Sequence, residues 1–519
     1  MTTRTPLRLP RVHRLLVLTA LLAAAQRVDS FTPKLGTIKP SLRTDKSRSS
    51  LSSPHATISG DGDRAAVDTA RDAVSLKTSV INLCKNIVCG GFLSLPAGIA
   101  CVAHFPTQAT LLPAAFLLLA MGALSAYCFS LIGRTCAMTR QGTYAGAWKR
   151  AIGPRTSGLV ESALAAKTGV TCLSYSMILG DMASQLLGIA RGRALISVTA
   201  TSLLPLCLLD TSKTFGLLKY SSALGLGATA YVALFIAQRF LAGSYDVGGA
   251  FYASVAPELR RSFGTLGGHA PPLFGGISTG ALVLVSMLAT AFMAHYNAPA
   301  FLREASGAQI ELPDMSGDNE VTDAETRAAP RLSVVSDAGL ARFNTLVRWS
   351  FSLSAAIFLT VAACGYLTFG GASAGNILAN YAIGDRLAGV ARIAIGVSLL
   401  AGYPLAFASL QSSVYNALGG AAGCSLPLRG VSFVLLSLIT VAACLVRDLG
   451  FVSAFAGALL GSAIIYVLPT MMFRATLRKE GLMEEMRREA AFAQGITIGG
   501  VLLMGLGAWA SVVKAGIGH

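Results

Sequence analysis

Long apolar runs with few charges are the feature that most constrains what this chain can fold into. Hydrophobic residues make up 53% of the 519 residues and charged residues 13%, whereas soluble domains carry roughly 25% charge. A helix needs ~20 mostly apolar residues to cross a bilayer. Runs of this kind lie near residues 78–101, 109–133, 158–187, 194–210, 217–240, 278–300, 343–369, 387–410, 428–446, 449–472 and 493–514. We therefore predict an all-α integral membrane protein with about 11 transmembrane helices.

Basic residues are concentrated in the connections between these runs and in the N-terminal tail. The net charge of +17 would fit a nucleic-acid partner, but the placement of Lys and Arg follows the positive-inside rule instead. No nucleic-acid partner is predicted. The connection after the second run is rich in Arg and Lys, whereas the connection after the first run, "VAHFPTQ", contains neither. The mature N-terminus is therefore predicted on the basic side of the membrane, called the positive side below, and the C-terminus on the opposite side.

The N-terminal segment has two compositions in succession. Residues 1–30 combine a basic start with the short apolar core "LLVLTALLAAA", which is typical of a signal peptide. Residues 31–77 begin with a stretch rich in Ser, Thr, Lys and Arg, which is typical of a transit peptide or a disordered segment. With Phe31 after the predicted cleavage point, the segment resembles the bipartite presequence of algae with complex plastids and predicts the plastid envelope membrane. A signal peptide with a disordered tail, and a vacuolar, other endomembrane or plasma membrane, is the alternative.

The first run contains residues that weaken a helix. "NLCKNIVCGGFLSLPAG" places Lys85, Gly90, Gly91 and Pro96 inside an otherwise apolar stretch. In lipid every backbone N–H and C=O needs a partner, so a broken helix is tolerated only where it is buried in protein or lines a cavity. Amide N–H groups at the start of a half-helix can bind an anion such as a carboxylate. Close packing of small residues between helices is the alternative explanation of the glycines.

Seven short strings in chain order resemble the amino acid/auxin permease family. They are "SVINLCKNIVCGGFLSLPAGIA" (79–100), "TYAGAWKRAIG" (143–153), "YSMILGD" (175–181), "LLKYSSALG" (217–225), "AFMAHYNAPAFLREA" (291–305), "GYLTFG" (365–370) and "YPLAFASLQSSV" (403–414). Each string alone is a weak signal, but their order covers nearly all of the chain after the presequence. The resemblance makes residues 78–515 a transporter domain, in which the polar segment 303–340 is a loop predicted to be mobile between the sixth and seventh runs.

The resemblance also implies a fold and a binding site. The fold is a 5+5 inverted-repeat transporter with broken first and sixth helices and an added eleventh. Amides of the first break would hold a substrate carboxylate, and carbonyls of the sixth break would hold its ammonium group. His295 and Asn297 would support the sixth break or line the pocket, or else form hydrogen bonds between helices. The substrate-binding residues implied are Gly90, Gly91, Phe92, Ala291, Phe292, Met293, His295, Asn297 and Tyr175.

Lys85 is the most unusual charge in the apolar runs. A charge inside a membrane span is costly and suggests a function. Its position resembles the proton-coupled branch of the superfamily, in which a lysine ammonium stands where sodium-coupled members bind the ion. This assigns ion coupling to Lys85 and Ser398 and favours sodium-independent, proton-coupled transport. Snorkelling of the lysine to the membrane surface is the alternative. Lys167 with Asp181, and Arg392, are interpreted as structural pairs.

The function predicted is secondary active transport of amino acids by alternating access, with an amino acid and a proton as the ligands. A sodium-coupled symporter and a transporter-like amino acid sensor are the alternatives. The sequence has no HExxH or P-loop motif, and no enzyme activity is predicted. Its ten cysteines lie mostly inside apolar runs without disulfide or zinc spacing, and no metal or cofactor is predicted. The identity of the amino acid does not follow from the sequence.

Overall fold

The computed structural model describes residues 76–88, 90–102, 107–208, 211–263, 278–311, 331–418 and 427–517, together with Arg14 and Thr19. Apart from Arg14 and Thr19, the predicted signal peptide of residues 1–30 lies outside this part of the chain, and so does nearly all of the predicted transit segment of residues 31–77. Both remain predictions, as does the role of Phe31.

Eleven helical spans in the described residues correspond one to one with the eleven apolar runs, and we number them in chain order. Their bounds are Leu76–Ile87 with Gly90–Cys101; Leu111–Thr139; Ser157–Leu187; Arg191–Val198 continued by Thr199–Leu203 and Leu204–Leu208; Thr211–Ala242; Thr279–Ala291 with Ala298–Ser306; Asp337–Phe369; Arg386–Ala417; Leu428–Leu445; Leu449–Ala456 continued by Gly457–Gly461, Ala463–Val467 and Leu468–Lys479; and Arg487–Ile517. A short amphipathic helix, Tyr144–Ala151, precedes the third span.

Eight helices in the described residues are long and apolar enough to cross a membrane, and nine if the two halves of the first span are counted together. The third and fourth spans are not among them; the third carries the polar residues Lys167 and Asp181. The chain is thus an all-α multi-pass membrane protein, as predicted.

The connection between the sixth and seventh spans contains a small sheet. Strands β1, Ile310–Glu311, and β2, Arg331–Leu332, pair antiparallel, with Ile310 opposite Leu332. Helix occupies both ends of the predicted 303–340 loop, because the sixth span continues to Ser306 and the seventh begins at Asp337. Residues 312–330 lie outside the described part, so the mobility of this loop stays a prediction.

Two spans are broken, and they are five spans apart. In the first span the helix bends at Val88, and a 3-10 turn, Gly90–Ser94, leads into Leu95–Cys101, with Pro96 in its first turn and a bend of 50° between the halves. In the sixth span the helix ends at Ala291 and resumes at Ala298, with Pro299 in its first turn. Proline lacks a backbone N–H and fits best in the first turn of a helix, where that N–H would have no acceptor. Breaks in spans one and six are what a 5+5 arrangement requires.

Small residues bring the first, sixth and tenth spans close together. A Cβ atom on Gly98 would lie 2.8 Å from the sulfur of Met287 in the sixth span, and one on Gly280 would overlap the carbonyl oxygen of Cys101. A Cβ atom on Gly457 of the tenth span would overlap the carbonyl oxygen of Ser286. Glycine at these positions allows the backbone-to-backbone approach that membrane helices use in place of a hydrophobic driving force.

Charged residues buried between spans have partners. Arg134 of the second span is 2% exposed and bonds both carboxylate oxygens of Glu489 at the start of the eleventh span. Arg239 at the end of the fifth span bonds both oxygens of the fully buried Asp385 before the eighth, at 2.8 and 2.6 Å. Tyr245, in the connection after the fifth span, also donates to Asp385 at 2.9 Å, and burial raises the pKa of its hydroxyl, which keeps the donor protonated.

Candidate functional site

The first-span break lies between the third and sixth spans. A Cβ atom on Gly90 would be 2.7 Å from Cδ1 of Ile178 and 3.7 Å from the ring of Tyr175, both on the third span. A Cβ atom on Gly91 would instead be 3.5 Å from Cγ2 of Thr290 and 3.8 Å from Cα of Ala291 on the sixth span. The two glycines therefore bring the first-span backbone against the third span on one side and against the sixth-span break on the other.

The backbone of the first break is suited to hold an anion. Gly90 and Gly91 open the 3-10 turn, and the first N–H groups of a helical turn have no acceptor within it. The carbonyl oxygen of Gly91 is already satisfied, because it accepts a hydrogen bond from Ser94 Oγ at 2.8 Å. Phe92 is 1% exposed and stacks on Phe358 of the seventh span, with ring centroids 6.5 Å apart. Its side chain thus contacts the seventh span, so a contribution of Phe92 to binding would come from its amide.

The backbone of the sixth break offers acceptors. The N–H of Met293 donates to the carbonyl of Thr290, and the N–H of Ala294 donates to that of Phe292 at 3.0 Å. Within the described residues, the carbonyls of Ala291 and Met293 accept no hydrogen bond from the non-helical backbone around them. Buried carbonyls of this kind need a donor, and an ammonium group supplies up to three.

Phe292 packs its side chain against the second and seventh spans. Its ring lies edge-on to Phe358 at 5.0 Å and stacks on Phe351 at 6.2 Å, both on the seventh span. A Cβ atom on Gly122 of the second span would be 2.9 Å from this ring. The ring therefore fixes the break against the second and seventh spans. Since the carbonyl of Phe292 already accepts from Ala294, Phe292 is the least available of the three predicted acceptors.

His295 supports the break from behind. It is fully buried, and its Nε2 is 2.8 Å from the carbonyl oxygen of Ser125 on the second span. Its ring lies edge-on to Phe129 and Phe351, at 5.5 and 6.1 Å. Its Nδ1 has no hydrogen-bond partner among the described residues. The bond to Ser125 joins the sixth break to the second span, and the role of His295 in binding stays a prediction.

Asn297 connects the two breaks directly. Its Nδ2 donates to Oδ1 of Asn86 on the first span at 3.3 Å, and Nδ2 of Asn86 donates to the carbonyl of Asn82 one turn earlier at 2.9 Å. The N-terminal half of the first span and the break of the sixth span are therefore bonded to each other. Asn86 was not identified from the sequence, and its partner could not be predicted from spacing along the chain.

Lys167 and Asp181 do not pair with each other. They are 14 residues apart on one helix, a separation of about 21 Å at 1.5 Å per residue. Asp181 pairs with Arg191 at 2.6 Å. The ammonium of Lys167, a residue only 6% exposed, lies 4.0 Å from the ring centroid of Tyr296 in the sixth break, a cation–π contact. The interpretation of a Lys167–Asp181 pair is therefore wrong.

Arg392 has a structural role. It is 1% exposed and donates to the carbonyls of Leu378 and Tyr381, at 3.0 and 2.7 Å. These carbonyls belong to the connection between the seventh and eighth spans. The guanidinium therefore fastens that connection to the eighth span through backbone carbonyl groups.

Lys85 and Ser398 meet beside the fifth span. A Cβ atom on Gly225 would lie 3.0 Å from Cε of Lys85 and 3.1 Å from Oγ of Ser398. The lysine side chain is half-buried and extends along Gly225 between the first, fifth and eighth spans. Snorkelling would require the side chain to run outward to the membrane surface, whereas this side chain runs between helices. Gly225 is the last residue of the string "LLKYSSALG", and a side chain at this position would press on Lys85 and Ser398.

Two discontinuous helices, in the first and sixth spans, thus meet beside buried backbone donors and acceptors. This arrangement is typical of a class of multi-span membrane proteins that hold small solutes at mid-bilayer. Residues 72–267 and 338–513 match the profile of the family described as "Transmembrane amino acid transporter protein". The match covers well over half of the chain, and the protein belongs to this family.

Similar proteins include two fungal ones and a human one. Vacuolar amino acid transporter 7 of Saccharomyces cerevisiae is 25% identical over 344 residues, which cover 66% of this chain and 59% of the yeast protein. Vacuolar amino acid transporter 5 of Schizosaccharomyces pombe is 24% identical over 443 residues, covering 82% and 92%. A Homo sapiens protein provisionally named sodium-coupled neutral amino acid transporter 11 is 26% identical over 141 residues, covering 27% and 35%. The chain thus spans less than two thirds of the yeast and human proteins.

Proposed function

We propose that this protein is a secondary active transporter that moves amino acids across a membrane by alternating access. The observation that carries the proposal is the direct contact of the two breaks, in which Gly91 faces Thr290 and Ala291. Family membership supports the substrate class, and the names of the two fungal relatives agree with it.

In this proposal the amino acid lies between the breaks. The amides of Gly90, Gly91 and Phe92 hold its carboxylate, and the carbonyls of Ala291 and Met293 hold its ammonium group. In this proposal Phe292 contributes less to binding of the ammonium group, because its carbonyl already accepts a hydrogen bond from Ala294. Tyr175, which contacts the Gly90 side of the break, lines the wall that the substrate side chain faces. His295 and Asn297 hold the sixth break in place through Ser125 and Asn86.

We further propose that transport is sodium-independent and proton-coupled. The support is the position of Lys85, whose ammonium end lies with Ser398 in the space beside Gly225. A permanent or transient positive charge there replaces the charge that a bound sodium ion would supply. Sodium coupling remains the alternative, and the name of the human relative favours it.

Uptake by the purified protein in liposomes tests the proposal. Labelled amino acids of neutral, basic and acidic type should be compared for accumulation against a gradient, with empty liposomes as the control. Accumulation of at least one class supports a transporter. Binding without accumulation would instead support the sensor alternative, and neither binding nor uptake by any class would contradict the proposal.

The membrane in which the protein works is also a proposal. We propose the plastid envelope on the composition of residues 1–77. Both fungal relatives carry "vacuolar" in their names, which agrees with the endomembrane alternative.

A further inference from the structure

A large cavity lies at the end of the helix bundle that the distribution of basic residues predicts to be opposite to the positive side. Its volume is about 490 Å³, and its walls come from the end of the first span, the start of the sixth, the connection between the seventh and eighth, the start of the tenth and the end of the eleventh. Much of the wall is small or polar, including Ser262, Ser373 and Ser511. The predicted substrate residues between the breaks are not part of this wall.

Two opposite charges face this cavity without pairing. Asp448 stands before the tenth span and Lys514 near the end of the eleventh, and both line the cavity. Neither forms an ion pair within the described residues, so their charged atoms are more than 4.0 Å apart. Opposite charges exposed to the same cavity but separated from each other leave room for a ligand that carries both charges.

The floor of the cavity lies close to both breaks. Met287, which lines the cavity, is four residues before Ala291, about one helical turn. Ala97 of the first span also lines the cavity and is six residues after Gly91. A solute in the cavity is therefore one to two helical turns from the place where the breaks meet.

We propose that this cavity is a second binding site for zwitterionic amino acids, in which Asp448 takes the ammonium group and Lys514 the carboxylate. The site captures substrate on the side opposite to the positive side before the substrate reaches the breaks. The proposal rests on the proposed transport of amino acids. A zwitterion fits because its two charges match the two walls, whereas an ion of one sign would satisfy only one of them.

Binding at this site is weak. Asp448 and Lys514 are both exposed, and water screens exposed charge pairs strongly. Removal of either charge should therefore raise the KM for uptake from this side about three- to fivefold and leave the maximal rate nearly unchanged, because the central site is intact.

Asp448 also has a structural task, which the choice of variant must preserve. Its Oδ1 accepts a hydrogen bond from the N–H of Gly450 at 2.8 Å and caps the tenth span. Asparagine caps a helix as well as aspartate does, so Asp448→Asn removes the charge and keeps the cap. Lys514→Met removes the second charge, and Lys149→Met, an exposed lysine on the positive side, is the matched control with no expected effect on KM.

Substrate fragments test the assignment of each charge separately. A primary amine without a carboxylate should compete with uptake in the unmutated protein, and its inhibition constant should rise in Asp448→Asn but not in Lys514→Met. A carboxylic acid without an amine should show the reverse. This cross-pattern cannot arise from general misfolding, since a misfolded variant would lose both kinds of competition. Equal effects of both variants on both fragments, or no change in any KM, would overturn the proposal.

Equilibrium binding separates this site from the central one. Gly91→Val blocks the breaks, so that purified Gly91→Val protein should retain only weak binding of a labelled amino acid, and addition of Asp448→Asn should remove it. Complete loss of binding in Gly91→Val alone would show that the cavity is a passage without a site. If the unmutated protein neither binds nor transports any amino acid, the proposed function fails instead.

Discussion

Gly91 faces the sixth-span break at a distance that leaves room for a methyl group but not for a branched side chain. Its Cβ position is 3.5 Å from Thr290 and 3.8 Å from Ala291. We expect Gly91→Val to lower uptake at least about tenfold, because the added methyl groups occupy the space between the breaks, and Gly91→Ala to lower it less. Gly227→Val is the matched control, since a Cβ there meets nothing within 4 Å.

Amino amides test the same site by a change in the ligand instead of a change in the protein. They lack the carboxylate charge that the first-break amides are proposed to hold, so they should not be transported, and they should not compete in Asp448→Asn, in which the cavity no longer holds the ammonium group. Strong competition by an amino amide in Asp448→Asn would contradict the assignment of Gly90 and Gly91 to a carboxylate.

Lys85 provides the second prediction at this scale. Lys85→Ala should abolish uptake, because the space beside Gly225 loses its charge, and Lys85→Arg should retain part of the activity with a charge of the wrong shape. Gly225→Ala should also lower uptake, since its methyl group would press on both Lys85 and Ser398 at 3.0 and 3.1 Å. Gly227→Ala should not. Initial uptake rates, normalised to the amount of folded protein, measure all four variants.

Single residues were predictable from the sequence where they break an apolar pattern. Gly90, Gly91 and Lys85 stand out because glycine pairs and a charge are costly inside a span. The hydrogen bond from Asn297 to Asn86 and the cation–π contact of Lys167 with Tyr296 could not be predicted, because each joins two spans. Which faces of two helices meet depends on packing, and no spacing along the chain records it.

Hydropathy predicted where the helices lie along the chain, but it did not predict the residues at which they begin and end. All eleven apolar runs became helical spans, but the tenth span continues to Lys479 and the eleventh begins at Arg487, beyond the predicted ends at residues 472 and 493. Helices extend past the hydrocarbon core into polar surroundings, where the apolar signal stops. The π-helical turns Gly457–Gly461 and Ala463–Val467 were also not predictable, and the first of them lies where Gly457 packs on the backbone of the sixth span.

The ion pair between the second and eleventh spans gives a prediction about stability. Arg134 is 2% exposed and the side chain of Glu489 is 22% exposed, so loss of Glu489 isolates the more deeply buried charge. Glu489→Leu should therefore destabilise the folded protein by about 3 kcal/mol, more than Arg134→Met does, because the carboxylate left behind can reach water. The double variant should be more stable than Glu489→Leu alone. Thermal unfolding of the purified variants measures the order, and a reversed order of the single variants would contradict it.

At the scale of the whole molecule, the membrane that receives the protein depends on the segment outside the described fold. Residues 1–77 fused to a fluorescent protein should enter the plastid of a complex-plastid alga, and Phe31→Ala should leave the fusion in the endoplasmic reticulum or the compartment around the plastid. A full-length fusion at the vacuole would support the endomembrane location instead. Signal at the plasma membrane would contradict the plastid assignment.

The coupling ion is a property of the whole transport cycle, and the unmutated protein tests it most directly. The side chain of Lys85 extends beside Gly225 and Ser398, and in the proposal above its charge replaces that of a bound sodium ion. Uptake should therefore persist when choline replaces sodium.

The dependence of uptake on pH then separates two forms of this mechanism. If Lys85 gains and loses a proton in each cycle, a proton gradient should drive accumulation, and a protonophore should abolish it. If Lys85 stays charged, sodium independence should remain without a response to the proton gradient. Stimulation by sodium of about tenfold or more would contradict both forms, because the lysine would then not replace the ion. Comparison of Lys85→Ala with the unmutated protein at each ion composition completes the test. If Lys85 replaces the ion, sodium should restore uptake by Lys85→Ala only when the ion enters the space that the side chain has left.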